Sequence, residues 1–161
     1  MRLRDLLTQR NFLIFSGLMA FFSLGCAFIA QYLFDISPCI LCLYERYFYG
    51  GVLLCGIVAA INFYPNLVYK LAGFILWGGV ALAIYHTGVE RHWWQGTAAC
   101  YGMAAKAKSI EELRTLLQAK PMGRCDQVSW AILGISATYL NLLWFVGFSG
   151  LWEVVRRRNK C

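Results

Sequence analysis

Cys39 and Cys42 stand two residues apart in the run Pro38-Cys39-Ile40-Leu41-Cys42-Leu43-Tyr44-Glu45-Arg46, at the mouth of a long apolar segment. A Cys-x-x-Cys pair closes a small ring on oxidation and serves redox sites and zinc sites alike. Pro38 biases Ser37 away from helical conformation and suits a helix that begins at about Cys39. Cys42 then lies near a helix N-terminus, where the backbone dipoles favour a thiolate. Arg46 follows one turn later on the same face and adds a full positive charge. A thiolate held in this way also departs faster in disulfide exchange. If the segment crosses a membrane, the sulfur pair stands where a lipid-soluble electron carrier can reach it. The alternative use is a stapling disulfide with Arg46 anchored among lipid headgroups, although so short a ring removes little chain entropy.

Cys100 and Cys125 form a second candidate pair. A bridge between them would close a loop and contribute roughly 3 kcal/mol in the chain-entropy model. An exchangeable bridge would instead take electrons from a partner's dithiol. Spacing alone leaves both uses open. A four-cysteine zinc site would prefer two tight knuckles; the second is missing, and no metal site is expected. His86 ends an apolar run in Ile84-Tyr85-His86-Thr87-Gly88, at a depth matching that of Arg46, so both can line one pocket. Asn141, within the last apolar segment, reads as an interhelical hydrogen-bonding residue. The other cysteines, Cys26, Cys55 and Cys161, read as small apolar filler.

These residues need a scaffold, and composition says which kind. Of the 161 residues 60% are hydrophobic and only 14% charged, against roughly a quarter charged in soluble domains. The net charge of +7 lies in flanks and one loop rather than in an aromatic-interleaved stripe. A nucleic-acid role gets little support, and anionic lipids are the expected counterpart. A span needs about 20 apolar residues, and four windows meet or nearly meet that: 12–34, 43–63, 67–87 and 128–155. Residues 1–161 therefore read as a single all-α membrane domain, a four-helix transmembrane bundle with a long extracytoplasmic loop at 88–127. The first window runs on too long for a signal-peptide core, so cleavage after it is not expected. Pro65 among asparagines marks a tight turn between the second and third windows.

Within the loop, Ser109-Ile110-Glu111-Glu112 fits a capping box. Ile110, Leu113, Leu116 and Leu117 then share a face, which predicts a short amphipathic helix lying on the membrane or packed on the bundle. Trp93 and Trp94 suit the headgroup layer. Arg2, Arg4 and Arg10 with the tail Arg156-Arg157-Arg158-Asn159-Lys160 argue for cytoplasmic termini. The loop carries nearly as many basic residues: Arg91, Lys106, Lys108, Arg114, Lys120 and Arg124. Cytoplasmic termini put all four loop-side cysteines in the oxidising compartment, where disulfides persist.

The string at 38–46 closely resembles the signature of the bacterial disulfide-bond formation protein B family (DsbB). The order of elements agrees: signature pair before the second span, His-Thr at the end of the third, second pair in the following loop. The resemblance implies a multi-pass protein of the bacterial inner membrane, with its termini cytoplasmic and its cysteine pairs periplasmic. It implies a thiol:quinone oxidoreductase that reoxidises a periplasmic thioredoxin-fold thiol oxidase (DsbA-like) and passes the electrons to a membrane quinone, ubiquinone or menaquinone. By position, Cys39 and Cys42 match the quinone-facing pair, Cys42 being the sulfur that meets the quinone and Arg46 the cation that stabilises that state. Cys100 and Cys125 match the shuttle pair, with Cys100 the site of the mixed disulfide, and His86 fits the histidine near the quinone. Two other readings are a quinone reductase similar to vitamin K epoxide reductases and a disulfide-stapled membrane scaffold that transfers no electrons. The Tyr-Glu-Arg context after Cys42 favours the first family.

Overall fold

Thr8 opens the first helix by accepting a hydrogen bond from the Asn11 N–H on its side-chain oxygen, the usual way to satisfy a free donor at a helix start. The computed structural model of the protein describes residues 8–101, 109–111, 122–132 and 134–159. Among these residues four long helices follow one another: α1 (Gln9–Tyr32), α2 (Ile40–Ala60), α3 (Pro65–Glu90) and α4 (Ala137–Arg158). Between the last two come a 3-10 turn (Ala98–Tyr101) and two short antiparallel strands, β1 (Ala131–Ile132) and β2 (Ile135–Ser136), with Ala131 opposite Ser136.

Among the described residues, α1, α2 and α3 are long and apolar enough to cross a membrane. The protein is a membrane protein, and its exposed surface has the matching character. On α1 the buried positions Phe12, Leu13, Ser16, Gly17 and Ala20 form one stripe at helical spacing. The outer face presents Phe21, Phe22, Phe28 and Ile29, which water would not tolerate as a continuous patch and lipid does.

Close packing of α1 on α2 depends on two glycines. A Cβ on Gly17 would lie 2.9 Å from the Gly56 Cα, and one on Gly56 would lie 2.9 Å from both the Gly17 Cα and the Leu13 oxygen. Small residues facing each other allow helix backbones to approach in lipid, where packing replaces the hydrophobic drive. At the same end Arg10 donates to the Ala60 oxygen at 3.0 Å and the Ala59 oxygen at 3.3 Å, satisfying carbonyls that the end of α2 leaves open. The main core runs from there through Val52, Leu76 and Phe145, across all four helices. Tyr69 and Trp152 tie α3 to α4 by reciprocal bonds to each other's backbone oxygens, at 2.6 and 3.0 Å.

The expected spans shift by a few residues. α1 and α2 begin three residues earlier than the windows 12–34 and 43–63, and α3 extends the 67–87 window at both ends, with Pro65 in its first turn. The fourth window, 128–155, moves most. Its first residues are not helical: Ala131–Ile132 and Ile135–Ser136 pair as the antiparallel strands β1 and β2, and α4 begins only at Ala137. With Asn141, Glu153 and the run Arg156–Arg158, α4 is less apolar than the other three. Of the expected loop helix, only Ser109, Ile110 and Glu111 are described, the last two in helical conformation; Glu112, Leu113, Leu116 and Leu117 lie outside the described residues, as do Arg2, Arg4, Lys106, Lys108, Arg114, Lys120, Lys160 and Cys161.

Gly56→Leu should push α1 from α2 and cost about 1–3 kcal/mol of stability, seen as a lower thermal midpoint in detergent by circular dichroism. Gly50→Ala, on the same helix but with nothing within 4 Å of an added Cβ, should leave that midpoint unchanged or raise it.

Candidate functional site

The end of the bundle opposite Arg10 and Arg156–Arg158 holds a second, smaller buried cluster, made of Cys39, Leu41, Val89, Cys100 and Cys125. Cys39 is the residue before α2, in extended conformation, and its sulfur accepts from the Cys42 N–H at 3.3 Å. It is therefore both a reactive group and the cap of the helix that carries its partner. The two sulfurs lie 3.0 Å apart. All described cysteines are free thiols.

The second pair reaches the first because the chain returns beside Pro38. Gly123 donates its N–H to the Pro38 oxygen at 3.2 Å and bridges to Cys39 in parallel. A side chain at Gly123 would collide with the Ser37 oxygen and lie 3.1 Å from the Cys39 nitrogen, so only glycine allows this approach. Two residues later the Cys125 sulfur sits within 4.8 Å of both the Cys39 sulfur and a ring nitrogen of His86. The Cys125 N–H donates to the Cys100 oxygen at 3.0 Å, and the Cys100 sulfur meets the Thr97 hydroxyl at 3.4 Å. Cys100, Cys125, Cys39 and Cys42 thus form a connected series of sulfurs.

Their proton affinities differ in a useful direction. The Cys39 thiol, sharing hydrogen bonds with Cys125 and Cys42 and buried, holds its proton far above the ordinary thiol range. Cys125 receives the hydrogen bond from Cys39, and against the cost of burial it also accepts from the Leu41 N–H in the first turn of α2. Its pKa is held down at about 6. Burial pushes the Cys100 thiol up. In the reduced protein Cys125 is thus the sulfur held toward the thiolate and Cys39 the thiol that faces it.

Below the sulfurs lies a polar cluster within the helices. His86 Nε2 is 3.4 Å from the Cys39 sulfur, and its Nδ1 is 3.0 Å from Glu45 Oε1. Asn141 on α4 donates its amide to the other carboxyl oxygen of Glu45, and its own oxygen accepts from the Tyr49 hydroxyl at 2.9 Å. Arg46 points the other way, toward α1. It donates to Gln31 Oε1 and, at 3.2 Å, to the Ala27 oxygen, with its guanidinium 5.1 Å over the Phe28 ring. Between these groups opens a cavity of about 310 Å³, its walls mostly apolar, with Cys42, Glu45, Arg46, Tyr49, Asn141 and Trp144 on its lining.

Four of the sequence-predicted residues, Cys39, Cys42, Cys100 and Cys125, are therefore gathered at one end. Cys42 and Arg46 line the cavity; His86 is in contact with Cys39 and Glu45 instead. Asn141 does bond across helices, as its type suggested, and lines the cavity as well. Glu45, Tyr49, Gln31 and Gly123 were not singled out from the sequence. Glu45 alone carried a signal, a carboxylate in an apolar span being functional by default. Cys55 is buried in the main core, whereas Cys26 is exposed and borders the cavity. The Cys39 and Cys125 sulfurs and a ring nitrogen of His86 lie within 4.8 Å of one another.

The family model described as disulfide bond formation protein DsbB matches residues 9–155. The chain belongs to the DsbB family. Relatives of this DsbB-family chain include the disulfide bond formation protein B of Mannheimia succiniciproducens, 27% identical over 86% of this chain and 82% of that one. That of Hahella chejuensis is 30% identical over 88% and 86%. An uncharacterised protein of Rickettsia prowazekii is 32% identical over 75% of this chain and 72% of its own length. No solved structure matches the chain. As a DsbB-family membrane protein the chain is a disulfide-bond formation protein.

In fully reduced protein, alkylation of Cys125 should fall as the pH drops through about 6, where half of the thiolate is protonated. Cys39→Ala removes the principal donor to that thiolate, so the fall should begin at a higher pH. Mass spectrometry of the labelled peptide reads both profiles.

Proposed function

We propose that the chain is a thiol:quinone oxidoreductase. In this reading it reoxidises a DsbA-like thioredoxin-fold protein and passes the electrons through two cysteine pairs to a membrane quinone, ubiquinone or menaquinone. The observation that carries the reading is the series of four sulfurs ending at Cys42, on the wall of an apolar cavity beside Arg46. A volume of about 310 Å³ is within the range of small-molecule pockets, and an aromatic ring with polar oxygens suits apolar walls with one cation. Cys42, Arg46 and the apolar side chains of α1 and α4 would hold it. All four helices cross the inner membrane in this reading. Arg10 and Arg156–Arg158 share the end opposite the sulfurs, and that basic end is cytoplasmic by the positive-inside rule.

The thiol chemistry follows from sulfur order. A partner thiolate attacks Cys100 of the Cys100–Cys125 disulfide; a partner–Cys100 bond forms and Cys125 leaves as a thiolate. The partner's second thiolate attacks its own bridged sulfur, releasing Cys100 and the oxidised partner. Cys125 attacks Cys39 of the Cys39–Cys42 disulfide, and Cys42 leaves as a thiolate at a helix N-terminus, the best place for that charge. Cys100 then attacks Cys125, restoring their bond and freeing Cys39. The net result is a reduced Cys39/Cys42 pair beside the cavity. A bound quinone supplies the two-electron, two-proton acceptor, while the chain supplies orientation and charge. Because Cys100 is fully buried, the exchange with the partner requires the 96–101 turn to open locally.

Purified protein with quinone should oxidise a reduced thioredoxin-fold partner, and Cys42→Ser should abolish turnover. A stapled scaffold would give no turnover in either form. Cys125→Ala should trap the partner on Cys100, read as a mixed disulfide on a non-reducing gel. Arg46→Ala should slow quinone reduction by roughly tenfold or more, equivalent to about 1.4 kcal/mol, with partner exchange little changed. Equal loss of both steps in folded protein would count against the role given to Arg46.

A further inference from the structure

Glu45 has features that a helix clasp does not need. It is 1% exposed, deep in an apolar helix, and both of its oxygens are engaged: one with His86, the other with Asn141. Yet the same carboxyl borders the cavity, together with Asn141 and Tyr49. An amide could join the helices without a buried ionisable group, which is costly in a membrane interior. On the other side His86 Nε2 meets the Cys39 sulfur at 3.4 Å. With its Nδ1 proton assigned to the bond with Glu45, Nε2 is free to accept one. The remaining titratable groups facing this pair are Cys42 and Cys125 at His86 and Tyr49 at Glu45.

We propose that Glu45 carries a proton from the Cys39 side, through His86, to the cavity, and that Asn141 and Tyr49 are positioning residues that hold its carboxyl toward that space. The inference rests on the thiol:quinone reading and adds the route of a proton to it. Oxidation of the Cys39/Cys42 dithiol releases two electrons and two protons to the acceptor. Cys39 gives up its S–H proton to His86 Nε2 as the Cys39–Cys42 bond forms. The Nδ1 proton moves to Glu45 Oε1, and Glu45 delivers it to an acceptor oxygen in the cavity. Glu45 ends ionised and His86 ends protonated on Nε2, regaining its first tautomer by exchange with water between turnovers. The second proton comes from solvent, which took up the proton equivalent that Cys42, left as a thiolate, does not carry.

Two measurements test the route. The first uses quinone-free protein: an infrared difference spectrum between the dithiol and disulfide states. A carboxyl signal is expected in the wild type and should vanish in Glu45→Gln, which keeps the shape of the side chain. Should that variant fail to fold, Glu45→Asp takes its place and should shift the signal. The second compares quinone reduction in light and heavy water. Glu45→Gln should slow it by roughly tenfold or more; Tyr49→Phe and Asn141→Leu should slow it less, with altered solvent isotope effects and an intact partner-exchange step. Absence of any carboxyl signal in the wild type overturns the proposal, as does a signal that ignores substitution at Glu45. A Glu45→Gln rate and isotope effect equal to those of the wild type do so too. A wild type that reduces no quinone overturns the reading beneath it instead, and the infrared result still judges the carboxyl.

Discussion

The pairing of Gly123 with the Pro38–Cys39 backbone is the contact on which the rest of the site depends. It brings together segments more than eighty positions apart in sequence and leaves no room for a side chain at residue 123. From that contact Cys125 gains the Leu41 N–H and the Cys39 thiol as donors. Those donors hold its thiol below the ordinary range, beside the Cys39 sulfur. A displaced return loop would lose the donors and the proximity together.

The start of α2 concentrates several duties in few residues. Cys39 caps the helix, Leu41 offers an N–H to Cys125, Cys42 faces the cavity, Glu45 binds His86, and Arg46 reaches α1. Helix geometry sends consecutive residues to different neighbours, so each meets a different element. Glu45 and Arg46 illustrate this: adjacent in sequence, opposite in charge, they make no ion pair with each other. The carboxyl turns toward α3 and α4, and the guanidinium toward α1. Both charges keep hydrogen-bonding partners in a medium that supplies none.

The helices hold this arrangement by close approach and by polar ties at either end. Gly17 against Gly56 sets the spacing of α1 and α2. Arg10 closes the end of α2, and Tyr69 with Trp152 locks α3 to α4. At the other end Asn141, Glu45 and His86 span α4, α2 and α3.

Much of this was readable before any coordinates. Apolar runs of membrane length located α1, α2 and α3 within a few residues, because a bilayer imposes its thickness on any chain that crosses it. Pro38 and the Cys-x-x-Cys spacing announced a helix beginning at about Cys39 with sulfur in its first turn, since those constraints are local. The start of α4 was misread: apolar residues at 128–136 look alike in a strand and in a helix, and only pairing between Ala131 and Ser136 separates them. The tertiary structure alone decided that Cys125 meets Cys39, that His86 turns to a sulfur and a carboxyl, and that Glu45, Asn141 and Tyr49 join at the cavity. Those contacts link residues tens of positions apart on different helices. Their existence depends on the rotation and spacing of packed helices, which no local pattern of residue types encodes.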